Sequence, residues 1–144
     1  MDKVWDQMKS GAWYDAEDVS LRQLRASCKA KLQQFNAMPE SDRQQAIGIL
    51  YTLLDAQGGL NIEAPFRCDY GPNIHLGRNF YANFNFSVLD EADVTIGDHV
   101  FIGPNVGIYT AIHPLDPKTR RTGLERAEPV RLGERSSSSC SPFR

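Results

Sequence analysis

Apolar residues along this chain keep two different rhythms. Between Thr95 and Pro114 it reads TIGDHVFIGPNVGIYTAIHP, with Ile96, Ile102 and Ile108 six residues apart and Val100, Val106 and Ile112 four residues after each. Neither the strand period of 2 nor the helix period of 3.6 gives this spacing. The hexads extend back to Leu76 as LGRNFY, ANFNFS and VLDEAD, slip by two residues at Val94 and Thr95, and resume as IGDHVF, IGPNVG and IYTAIH. First positions are Leu76, Ala82, Val88, Ile96, Ile102 and Ile108; fifth positions are Phe80, Phe86, Ala92, Val100, Val106 and Ile112. A six-residue unit is one short strand plus one turn. Its first residue points inward, and a small second residue (Gly77, Gly97, Gly103) lets neighbouring backbones approach. Three such units close a triangular coil of about eighteen residues, and stacked coils pair their strands in parallel. The pattern predicts a mainly β chain folded as a parallel β-helix. A β-sandwich with coincidental spacing is the competing reading, and the successive IG-x-x-[VI] units speak against it.

Residues 1–59 keep the helical rhythm. A short helix is expected around Asp2 to Lys9, then a break at Gly11. Asp18 is a candidate N-cap for a helix with Leu21, Leu24, Cys28, Leu32 and Phe35 on one face. After Pro39, Ser41 and Gln44 read as a capping box. Ile47, Leu50, Tyr51 and Leu54 form the next stripe, and Gly58 and Gly59 are expected to end that helix. Residues 114–128, PLDPKTRRTGLERAE, read as a long excursion before the coil resumes at VRLGE, with Leu132 and Gly133 as a new first and second position. The resulting division is a helical segment 1–59, an incomplete β-helix 60–134 of about two coils and a fragment, and an aberrant tail 135–144. The tail, RSSSSCSPFR, abandons the frame; it reads as disordered and as the product of a shifted or truncated reading frame.

A formal charge of −2 with mixed signs gives no basic surface for nucleic acid or anionic membrane. No apolar run approaches the roughly 20 residues of a membrane span, and MDKVWDQMKSGAWYD lacks signal-peptide grammar, so a cytoplasmic location is expected. Cys28, Cys68 and Cys140 form no CxxC pair and read as free thiols.

SGAWYDAED, together with CDYGPNIHLGRNFYANFNFSVLDEADVTIGDHVFIGPNVGIYTAIHPLD, resembles the sugar O-acetyltransferases of the hexapeptide-repeat superfamily, nearest the maltose O-acetyltransferases and then the galactoside O-acetyltransferases. The resemblance covers about residues 1–134. It implies a left-handed parallel β-helix with a helical N-terminal cap, a homotrimer with sites between subunits, and transfer of an acetyl group from acetyl-CoA to a sugar hydroxyl without a metal. It assigns the general base to His113, a role suited to an imidazole because its ordinary pKa lies near 6.5. It assigns acceptor contacts to Asp15, Asp69 and Asn83, and to Glu91 either contact with the sugar or orientation of the histidine; Tyr81 is a candidate wall for the sugar, with core packing the equal alternative. Maltose, glucose and thiogalactosides all remain open as acceptors. Most CoA contacts, and the backbone N–H for the thioester oxyanion, are expected from coils beyond the long loop, so turnover by this chain is in question; Lys118, Arg120 and Arg121 could meet the phosphates or be solvated loop charge. The alternatives are a non-catalytic fragment or scaffold of the same fold, and a zinc-dependent β-helix lyase using His75, His99 or His113.

Overall fold

The computed structural model describes residues 3–133. Helix α1 (Lys3–Lys9) buries Trp5 and Met8, and strand β1 (Tyr14–Asp15) follows. Asp18 caps α2 (Val19–Ala37) by accepting from the Ser20 N–H, and Leu21, Cys28, Leu32 and Phe35 are its buried face. Ser41 does not form the expected capping box. It lies in a 3-10 turn, Glu40–Asp42, and α3 (Arg43–Leu53) starts directly from that turn without a side-chain cap.

Helix α3 also stops earlier than Gly58 and Gly59. Leu54 is 6% exposed and turns extended, which sends the chain into the solenoid at once. Strand β2 (Asp55–Ala56) is therefore already a coil strand. It is followed by β3 (Leu60–Ile62), β4 (Phe66–Cys68), β5 (Ile74–Leu76), β6 (Phe80–Ala82), β7 (Phe86–Leu89), β8 (Val94–Ile96), β9 (Phe101–Ile102) and β10 (Gly107–Tyr109). These make three faces of a prism with parallel pairing, in orders β2-β5-β8, β3-β6-β9 and β4-β7-β10. Partners lie twenty residues apart: Asp55 pairs with His75, Leu60 with Phe80, Phe66 with Phe86. The coil is thus two residues longer than three hexads. The extra residues sit at one edge of the prism, between the third face and the first, where Asp69–Asn73 and Asp90–Asp93 turn the chain.

Every first-position residue from Leu76 to Ile108 is buried, as are fifth positions Phe80, Phe86, Ala92, Val100 and Val106. The fourth positions Asn79, Asn85, His99 and Asn105 turn the corners with φ between 56° and 62°, a conformation asparagine tolerates better than most residues. They also stack: Asn85 Nδ2 donates to Asn105 Oδ1 at 2.8 Å, and Asn79 Nδ2 lies 3.1 Å from His99 Nδ1.

The last hexad leaves the coil before Pro114. Thr110 is the final buried corner residue. The chain then forms β11 (Ala111–Ile112), a short helix α4 (Pro117–Arg120) and β12 (Leu124–Ala127). Strand β12 pairs antiparallel with β11 on one side and with β1 on the other, which ties the excursion to the N-terminal segment. Strand β13 (Val130–Leu132) returns to the solenoid as expected, with Leu132 opposite Ile96. Residues 134–144, where the loss of frame and the disordered tail were expected, lie outside the described residues. No helix among the described residues is long and apolar enough to cross a membrane.

Close coil approach sets a local steric limit. A Cβ on Gly77 would sit 2.5 Å from the Gly97 carbonyl carbon, whereas one on Gly103 meets nothing within 4 Å. Gly77→Ala is expected to lower unfolding free energy in urea by about 1–3 kcal/mol, while Gly103→Ala stays within roughly 0.5 kcal/mol of the parent. Equal losses from both would show that the backbone spacing of adjacent coils does not set stability.

Candidate active site

The long edge of the prism gathers ionisable side chains. Asp90 is fully buried and holds the preceding coil's corner: Oδ1 accepts from the N–H groups of Asp69 (3.1 Å) and Tyr70 (2.9 Å), and Oδ2 from Gly71 (2.7 Å). Burial pushes its pKa up to about 6 against these three donors, so it is mainly ionised at neutral pH. Asn73 closes the corner by donating to the Asp90 carbonyl at 2.7 Å. One coil further on, Thr110 Oγ1 accepts from the Ala92 N–H and donates to the Leu89 carbonyl.

Glu91 is 4% exposed, and its Oε1 has no hydrogen-bond partner among the described residues. Burial, then its hydrogen bond and charge repulsion with Asp69, push its pKa well above the carboxylate range. Glu91 therefore keeps its proton at neutral pH and donates it to Asp69, which is partly exposed. Beside Asp69, Tyr70 stacks edge-on against Trp5 with centroids 5.2 Å apart, and Arg25 donates to its hydroxyl at 2.7 Å.

His113 follows β11 and is 62% exposed. Its Nδ1 lies 3.5 Å from Glu125 Oε2 on β12. The other Glu125 oxygen accepts from the Tyr14 hydroxyl at 2.5 Å. Tyr14 is buried on β1, opposite Glu125 in the antiparallel register, and lies near the Glu91 carboxyl. One arrangement thus runs from His113 through Glu125 and Tyr14 toward Glu91 and Asp69. Asp15, next on β1, is exposed, accepts from the Glu17 N–H at 2.9 Å, and lines an open cleft with Trp13 and Leu124.

Tyr81 and Asn83 stand apart from that arrangement. Tyr81 lies on the second face, edge-on against Phe101 with centroids 5.7 Å apart. Asn83 occupies the corner after β6, its Oδ1 accepting from the Phe84 N–H. The three histidines are also separate: His75 sits between Asp55 (2.6 Å) and Asp93 (2.9 Å), and His99 lies against Asn79. No group of three or more potential metal ligands forms among the described residues.

Sequence reasoning missed Glu125 and Tyr14. Glu125 lies in a stretch read as a polar, basic excursion, where the hexad pattern of apolar positions has already ended. The four residues Leu124-Glu125-Arg126-Ala127 carry no alternation of apolar and polar positions that would have marked a strand.

The family profile "Maltose acetyltransferase hexapeptide capping motif" matches residues 7–58, the helical segment and the entry to the first coil. Nodulation protein L of Rhizobium meliloti (strain 1021) is 41% identical over 130 residues, covering 90% of this chain and 71% of that protein. The chain belongs to the hexapeptide-repeat acetyltransferases. The crystal structure of a maltose O-acetyltransferase from Clostridium difficile 630 superposes with a TM-score of 0.86 at 40% identity, over 89% of this chain and 69% of that one. A galactoside acetyltransferase in complex with coenzyme A gives a TM-score of 0.81 at 31% identity, over 90% of this chain and 65% of that one. The prism of this hexapeptide-repeat acetyltransferase is accordingly a left-handed parallel β-helix, and the chain spans roughly two-thirds of the length of these relatives.

The buried Glu91 proton has a thermodynamic consequence for the acetyltransferase fold. A carboxyl whose folded pKa lies above its unfolded value near 4.3 binds a proton that the unfolded chain has released. Its contribution is fully present below that unfolded value and is lost as pH rises through the neutral range. Glu91→Gln keeps a donor toward Asp69 and removes the titration. Between about pH 5 and pH 8 the parent is expected to lose stability relative to Glu91→Gln, by at most about 1.4 kcal/mol per pH unit. Parallel stability profiles for the two chains would place the proton elsewhere.

Proposed function

We propose that the chain transfers an acetyl group from acetyl-CoA to a sugar hydroxyl, with His113 as general base. The observation that carries this reading is the His113–Glu125–Tyr14 arrangement. A carboxylate facing Nδ1 favours the tautomer with the proton on Nδ1 and leaves Nε2 free to accept the acceptor's proton. Glu125 is in turn held by a buried tyrosine, so the imidazole is oriented from below while its outer edge stays open. As the sugar oxygen bonds to the thioester carbonyl, Nε2 takes its proton. When the C–S bond breaks, the same proton goes to the departing thiolate, giving O-acetyl sugar and free CoA.

Asp69, backed by the Glu91 proton and fixed by Asp90, presents an acceptor for sugar hydroxyls, and exposed Asp15 presents a second. Tyr81 and Asn83 join the site in this reading from a neighbouring copy, in a homotrimer. Support for that comes from their placement on another face and from the exposed aromatic rings around them, Phe84 at 44% and Phe101 at 50%. Acetyl-CoA supplies the activated thioester. On the described residues, Arg120 donates to the Pro114 and Leu115 carbonyls and Arg121 to that of Pro117, so both guanidinium groups brace the excursion, and Lys118 remains the cation on α4 for a phosphate.

Thiol release from acetyl-CoA with maltose or glucose as acceptor tests the reading. His113→Ala is expected to lower kcat/KM by about 10²–10⁴-fold. Glu125→Gln should lower kcat by roughly tenfold or more and shift the limb of the pH–rate profile that reports the base. Release that is acceptor-dependent yet insensitive to His113→Ala would sink the assignment.

A further inference from the structure

A cleft of about 720 Å³ opens between α2 and the outward side of the third prism face, and Asp69 lies at its edge. Its floor is two rows of the sheet. Arg67 lies opposite Ser87, and Asp69 and Leu89 extend those strands by two residues on the same side. Its wall is one face of α2, with Lys29 and Gln33 a helical turn apart. Neither Lys29 nor Arg67 has a hydrogen bond or ion pair with any described residue, so two unpaired cations border a cleft whose lining is otherwise largely apolar, with Leu32, Ala37, Cys68 and Leu89. Other charged residues of the fold are mostly spoken for: Arg25 by Tyr70, Arg78 by Asp98, Lys9 by Asp93.

The cleft continues the acceptor side of the site. Along β4, Arg67 and Asp69 point the same way about 7 Å apart, and from β4 to β10 is two strand spacings, about 10 Å. A sugar unit attached to one engaged by Asp69 lies along the cleft within reach of Arg67.

The geometry points to a subsite in this cleft for a neighbouring sugar unit that carries an anionic substituent, so that the acceptor is an acidic oligosaccharide rather than a neutral monosaccharide. This rests on the acetyl-transfer reading of the His113 site and adds the class of its acceptor. Arg67 offers a planar fork to a carboxylate or phosphate, Lys29 adds a point charge from the opposite wall, and Gln33 and Ser87 bond to ring hydroxyls. Leu89 provides an apolar surface for the C–H face of the ring. Near Asp69 the cleft is anionic and rejects the charged unit, which fixes the direction in which the acceptor lies.

Equilibrium binding without acetyl-CoA tests this separately from catalysis. The probes are maltose, maltose 1-phosphate and cellobiouronic acid, which carries a single carboxylate on one ring, measured by calorimetry at low ionic strength. At least one anionic disaccharide should bind about tenfold or more tightly than maltose, and which one does so distinguishes phosphate from carboxylate. Arg67→Ala and Lys29→Ala, both at exposed positions, should each abolish the preference, while His113→Ala should keep it. Binding of neither anionic sugar above maltose, or a preference that survives both substitutions, overturns the proposal. Thiol release with maltose reports on the acetyl-transfer reading independently, so failure of one does not imitate failure of the other.

Discussion

Parallel, in-register pairing at intervals of twenty residues governs where everything else in this protein can lie. Each strand must present its backbone to the coil above and the coil below, so the inward residues stack in columns and three faces close at a common pitch. Three hexads account for eighteen residues of that pitch. The remaining two fall at the same edge in successive coils, and there the chain has freedom to carry polar groups. Asp69, Asp90, Glu91 and Thr110 all occupy this edge. When the edge comes round again after β10, the chain spends not two residues but the whole excursion carrying His113 and Glu125.

The chemistry of the edge is arranged in two layers. Buried acids set positions: ionised Asp90 ties down three backbone N–H groups, and protonated Glu91 meets Asp69 from behind. Partly exposed groups face outward, Asp69 from the coil and His113 from the excursion. Glu125 belongs to both layers, being held by buried Tyr14 while facing the exposed imidazole. Reach toward solvent is therefore set from the interior, which keeps the outward-facing side chains from wandering.

The repeating part of this fold was written openly in the sequence. Inward positions from Leu76 to Ile108 follow from the six-residue period and its one two-residue slip, and Asp18 announces α2 through ordinary capping chemistry. The entry to the first coil was hidden, because Leu54 turns inward where the helical stripe was expected to continue to Gly58, so that the solenoid starts at Asp55 and not at residue 60. His113 was singled out through family resemblance. Glu125 and Tyr14 were not, since their pairing depends on a strand register joining residues 111 positions apart, and no local pattern encodes it.

That separation also dictates an order of events during synthesis. Strand β1 emerges early, yet its partner β12 is made after the prism coils from β2 to β10. The coils can stack one upon the next as they appear, each on its predecessor. The N-terminal strand must wait with one side unpaired until the excursion arrives to fill it, a closure over most of the chain's length. The nascent protein thus carries an open hydrogen-bonding edge on β1 until β12 has been made.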